Sequence, residues 1–249
     1  MRLKKVFIFA AALFAATSVF ARTDYDKVLW DDYITLRDAV YNSEAPAGEL
    51  TALYDAARQS AKELFKDDSL YIAFSRCEYM MGRAYSYEEN KEMAAKHYDA
   101  GELYVNQALD IKETASALIM YGENVSQNCS VKPVSYAITM GTKVSGFASD
   151  VLKLDPDNGA ALYMKNAQYI YAPSPFHNYG KGIKKMKELF DDPNIDFEKD
   201  DLFNVTSAIG YGYMGKKEYD DARGWFNKAL EYYPNNAFVN GLLKDIEGK

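Results

Sequence analysis

From residue 24 onward, apolar side chains recur every three or four positions. Leu50, Leu53, Tyr54, Ala57, Ala61, Leu64 and Phe65 form one such stripe, the mark of a helix that buries a single face. No stretch sustains the two-residue alternation of a half-buried strand. Segments rich in Gly, Pro, Asn and Asp interrupt the pattern at 42–46, 66–69, 88–90, 128–133, 155–159, 172–180, 191–200, 215–217 and 234–236. Between them lie helices of roughly ten to twenty residues, about eleven in all, and the short connections make consecutive helices neighbours. The pattern predicts an all-α chain, a row of helical hairpins rather than one closed bundle.

The first residues follow a different rule. Arg2, Lys4 and Lys5 precede an unbroken apolar run over residues 6–16, and Val19, Phe20 and Ala21 lead up to Arg22. A basic start, a short apolar stretch and a small residue before the cut are the parts of a cleavable export signal, and the run is too short for a spanning helix. Residues 1–21 are therefore read as a signal peptide and 22–249 as one domain, periplasmic or secreted, with no membrane span after cleavage. No cysteine near Arg22 offers a lipid attachment point.

Small and aromatic residues also repeat at long range. Ile209, Gly210 and Tyr213 are followed by Ala222, Phe226, Ala229 and Pro234; Met81, Gly82 and Tyr85 are followed by Ala94, Tyr98 and Gly101. The glycines and alanines allow two helices to cross closely, the rings fill the crossing, and Pro234 ends a helix. Spacing and residue type resemble the tetratricopeptide repeat, most clearly over 75–109 and 203–236. Looser copies begin at Leu118, Tyr121 and Gly122 and at 162–171, and 33–65 forms a degenerate front hairpin. The resemblance implies a right-handed α-solenoid of about four or five hairpins, each burying its neighbour's apolar side, closed by a cap at 237–246.

Composition narrows the function. With a formal charge of −7, which falls to −10 without the three basic residues of the signal, the chain lacks the cationic excess that nucleic acid or anionic headgroups require. Twenty-one tyrosines against two tryptophans suit half-wet surfaces as well as cores. Two cysteines, Cys77 and Cys129, exclude a CxxC motif and a multi-cysteine zinc site; their spacing leaves pairing open.

Candidate chemistry is sparse. Residues 210–215 spell GxGxxG, but no strand precedes them, and Gly210 already has a packing role. His97 and His177 lack metal-ligand spacing, and Asp67, Asp68, Asp191, Asp192, Asp200 and Asp201 sit at loop edges where helix capping accounts for them. No nucleophile motif is present. Asn124, Asn128 and Asn204 begin N-x-S/T triplets. No catalysis, cofactor or metal is expected.

In tetratricopeptide arrays the first helix of each hairpin lines the concave groove. The resemblance then places Arg76, Tyr79 and Arg83 on one groove helix, Ser116, Ile119 and Glu123 on the next, and Asn204, Ser207 and Tyr211 on the last. Arginines beside tyrosines suit a carboxylate or a peptide end; the alternative is an internal ion pair from Arg76 or Arg83 to Glu123. In the loop 172–180, Phe176 and Tyr179 either turn into the groove or pin the loop to its own hairpin. With Pro173 and Pro175, that loop is similar to one in exported bacterial tetratricopeptide proteins, among them the T component associated with TRAP transporters. The expected function is a non-catalytic scaffold holding a peptide or partner protein through Arg76, Tyr79, Arg83, Glu123 and Tyr211. The other reading is a small-ligand-binding accessory of solute transport, with the groove enclosed by Phe176 and Tyr179.

Overall fold

The computed structural model describes residues 23, 24 and 26–249; the segment read as an export signal lies outside them. A minimal antiparallel pair opens the described chain, β1 (Thr23–Asp24) with β2 (Leu29–Trp30), Thr23 opposite Trp30. Helices α1 (Asp31–Tyr41), α2 (Thr51–Leu64), α3 (Asp67–Tyr87), α4 (Lys91–Ile111) and α5 (Ala115–Val131) come next. They are followed by α6 (Val134–Leu154), α7 (Gly159–Tyr171), α8 (Tyr179–Asp191), α9 (Lys199–Gly215), α10 (Tyr219–Leu230) and α11 (Ala237–Asp245). The architecture is the expected all-α solenoid of helical hairpins.

Local chemistry sets the helix starts. Asn90, Thr114, Asn158, Asn178 and Asn236 each stand just before a helix and accept a hydrogen bond from the backbone N–H three residues on, at 2.9–3.2 Å. Each satisfies one of the donors that a helix leaves open at its first turn. Small residues then set the crossings. A Cβ on Gly82 would lie 2.4 Å from the Tyr98 ring, and one on Gly210 would lie 2.5 Å from the ring of Phe226, so only glycine admits those rings. Gly101 does the same for the Asn124 side chain of the following hairpin.

Consecutive helices pack on one another from α3 through α10, while α3 also touches α5, α5 touches α7, and α7 touches α9. The odd-numbered helices thus form an inner row and the even-numbered ones an outer row. The outer α6 buries only Ala148 and Val151. Cys77 is fully buried and Cys129 half-buried, and both are free thiols.

Helix α1 departs from the row. Its Tyr33, Leu36, Val40 and Tyr41 are at most 1 % exposed, although only α2 and α3 follow closely in sequence. The remaining cover comes from the far end of the chain. The Tyr41 ring stacks on Tyr233 at 4.9 Å and meets Phe203 edge-on at 5.4 Å, and Asn236 donates to the Tyr41 carbonyl at 2.5 Å. One helix therefore bridges the two ends of the solenoid across its inner side.

Candidate binding chamber

The inner row presents the side chains expected of it. A chamber of about 300 Å³ opens between the first turns of α5, α7 and α9 and the middle of α3, with Tyr33, Arg76, Ser116, Ile119, Glu123 and Asp200 among its lining residues. That volume is at the lower end of small-molecule sites and far below what an extended peptide fills.

One wall is an ion-pair network. The Arg76 guanidinium grips the Glu198 carboxylate with both ends, Nη2 to Oε1 at 2.6 Å and Nη1 to Oε2 at 3.2 Å, and Nη1 also meets the Tyr33 hydroxyl at 3.2 Å. Arg37 of α1 reaches the same carboxylate at 3.2 Å and Asp200 at 3.3 Å. Planar forks and carboxylates in this geometry are the strong form of ion pair, and they tie α1, α3 and α9 together. Burial works against charge on Glu198, yet Arg76 and Arg37 hold its carboxyl below the usual range. Asp200 and Asp201 shift the other way, first through burial and then through the neighbouring carboxylates.

Arg83 stands two turns along α3 and is treated differently. It donates to the hydroxyls of Tyr79 and Tyr87, both at 3.1 Å, lies over the Tyr41 ring at 4.5 Å, and its buried Nε has no partner. Among the described residues no carboxylate comes within ion-pair distance of it. Beyond it, the rings of Tyr171 and Tyr211 lie 5.2 Å apart, and the hydroxyls of Tyr163 and Tyr171 face each other. Tyr171 keeps 43 % of its surface open, yet burial is the main force raising its hydroxyl pKa.

Of the residues expected at the site, Arg76 and Glu123 line the chamber, whereas Tyr79, Arg83 and Tyr211 stand on the same inner helices outside its lining, Arg83 close enough to Glu123 to act on its carboxyl. Arg76 is engaged by Glu198, and the alternative pairing of Arg76 or Arg83 with Glu123 is not formed. Phe176 points outward, 76 % exposed, while Tyr179 stacks on His177 at 4.3 Å and packs over Gly215. The loop is pinned to its own hairpin, also through Asn178 N–H to the Tyr169 carbonyl at 2.8 Å. The GxGxxG string lies inside α9, its glycines packed under Phe226, Ile183 and Tyr179. His97 contacts the Glu78 carboxylate at 2.7 Å, and among the described residues no group of three or more potential ligands is placed to hold a metal ion. Asn124 and Asn128 are fully buried.

Sequence reasoning missed Tyr33, Arg37, Glu198, Tyr163 and Tyr171. Asp201 does cap, accepting from the Glu198 N–H at 2.9 Å, which is the role read for it. Asp200 beside it faces inward instead. A signal was present: Asp200 continues the stripe Asn204, Ser207, Tyr211 one turn back.

Residues 205–236 match the family model of the tetratricopeptide repeat. Together with the rows of helical hairpins, the match supports a tetratricopeptide-repeat protein. Such repeats generally mediate protein–protein interactions, which suggests an interaction scaffold. No curated protein matches the chain. Among the described residues, no helix is long and apolar enough to cross a membrane.

Proposed function

We propose that this is an exported, non-catalytic binding protein of the tetratricopeptide type that holds a small organic ligand inside its inner row, as an accessory to solute capture. The carrying observation is how the concave side is filled: α1 crosses it, Arg76 and Arg37 are committed to Glu198, and beside them lies a partly open chamber of about 300 Å³. A long peptide along Arg76, Tyr79 and Arg83 would have to displace α1, whose apolar face is fully buried. A small molecule needs no such displacement. Native mass spectrometry of the gently purified mature chain tests this, with a stoichiometric small-molecule adduct expected; a bare chain that no small-molecule panel stabilises against heat would refute it.

A second reading, a scaffold for a partner protein, is favoured by the repeat match and by Leu103, Ile111, Val134 and Ile138, which the outer helices α4 and α6 leave exposed. Crosslinking in the cell of origin distinguishes it, because the partner would then be trapped on α4 or α6 rather than at the chamber.

A further inference from the structure

The inner row contains a cation and an acid, Arg83 and Glu123, that act on each other without meeting. Gly82, Gly122 and Gly210 occupy equivalent repeat positions, so the residues after them, Arg83, Glu123 and Tyr211, stand at one level on α3, α5 and α9. Long side chains can cross the roughly 8–10 Å between packed helices, yet Arg83 turns to the hydroxyls of Tyr79 and Tyr87 and forms no ion pair with Glu123. Arg83 is the exception among the interior arginines, since Arg37 and Arg76 both have carboxylate partners whereas Arg83 has only tyrosine hydroxyls and ring faces. Glu123 lines the chamber, and among the described residues it accepts no hydrogen bond and joins no ion pair. A half-buried cation and a half-buried acid left apart each carry a desolvation penalty that a matching ligand group would relieve.

Resting on the reading of an inner ligand chamber, we propose that the occupant is a small zwitterion of the α-amino-acid type, its carboxylate on Arg83 and its ammonium on Glu123. A guanidinium with no carboxylate partner can take one through the second N–H of each Nη, since Tyr79 and Tyr87 use only one N–H apiece. A simple organic acid leaves Glu123 unanswered, and a simple amine leaves Arg83 unanswered; only a molecule with both groups relieves both. Burial holds the Glu123 carboxyl up to about 8, and an adjacent ammonium opposes that shift. Tyr79, Tyr163, Tyr171 and Tyr211 around the same level provide flat, half-polar walls that suit a planar or aromatic side chain.

Calorimetry on the full mature chain with three probes of one shape tests this: L-phenylalanine, 3-phenylpropionate, which lacks the amine, and 2-phenylethylamine, which lacks the carboxylate. Phenylalanine should bind at least about tenfold more tightly than either. Glu123→Gln should abolish its advantage over the acid, and Arg83→Gln its advantage over the amine. Equal affinity for acid and amino acid, or for amine and amino acid, would overturn the assignment. So would a lack of binding by any of the common amino acids. The comparison on the unaltered chain decides the matter even where a variant does not fold. A tightly bound adduct of another class in the native mass spectrum would sink the zwitterion while leaving the chamber intact; a bare chain unresponsive to every class would sink both.

Discussion

At Glu123 burial outweighs attraction. Arg76 and Arg83 both draw the proton from its carboxyl, and the pKa still stands at about 8 against an ordinary 4.5. Asp200 and Asp201 are raised as well, whereas Glu198 and Asp38 are held low by Arg76, Arg37 and Lys199 despite the opposing effect of burial. The two groups act on stability in opposite directions. Where the folded pKa is raised, the native chain keeps a proton that the unfolded chain has already released, so stability declines as pH climbs from about 4.5 to about 8. Where it is lowered, the contribution is present above the ordinary value and vanishes only as acid titrates the folded carboxylate. Stability against urea should therefore peak near about pH 5 and fall toward about pH 8. Glu123→Gln should leave stability at about pH 4 unchanged and raise it at about pH 8 by on the order of 1–3 kcal/mol. Equal unfolding midpoints for this variant and the parent at the higher pH would contradict the burial account.

Helix crossings are set by what glycine omits. Alanine ordinarily strengthens a helix interior over glycine by about 1 kcal/mol, and at the exposed Gly224 of α10, where a Cβ meets nothing, Gly224→Ala should do so. At Gly210 the same change drives a methyl to 2.5 Å from the Phe226 ring, whose side chain is fully buried and cannot retreat. Gly210→Ala should instead destabilise by about 1–3 kcal/mol, and thermal melts of the two variants should move in opposite directions. That contrast also explains what was legible in the sequence. Gly82 with Tyr98 and Gly210 with Phe226 lie sixteen residues apart within one hairpin, so their spacing announces the crossing. Asn90, Thr114 and Asn158 likewise mark helix starts within a few residues. Arg37 with Asp200 and Tyr41 with Asn236 are separated by 163 and 195 residues, and no local pattern signals such pairs. Arg83 and Glu123 were readable as inward-facing because the repeat register fixes that direction; that α1 would enclose them was not.

Across the whole molecule, α1 converts an open stack into an enclosed one. A solenoid is held by nearest-neighbour contacts, so its two ends ordinarily melt independently. Here Asp38 takes Lys199 at 2.8 Å and the Tyr233 hydroxyl at 3.0 Å, Arg37 takes Asp200, and the Tyr41 ring is wedged between Phe203 and Tyr233. The first and last hairpins should consequently unfold as one unit, with hydrogen exchange in α1 and in α9 to α11 proceeding at matched rates. Tyr41→Ala removes the central ring of that joint, a loss of about 3–5 kcal/mol for a fully buried aromatic, and should lower the melting temperature by roughly 10 °C. Its more informative effect is on cooperativity. With the joint gone, exchange in α1 should accelerate beyond that in α5 and α6, and bound ligand should escape faster, because the crossing helix forms one side of the enclosure. Phenylalanine at position 41 retains the ring stack and loses only the contact from the Asn204 side chain at 3.2 Å, so Tyr41→Phe should keep both the matched exchange and the slow escape. Uniformly faster exchange across all eleven helices in Tyr41→Ala would mean that α1 is merely part of a common core and not a clasp.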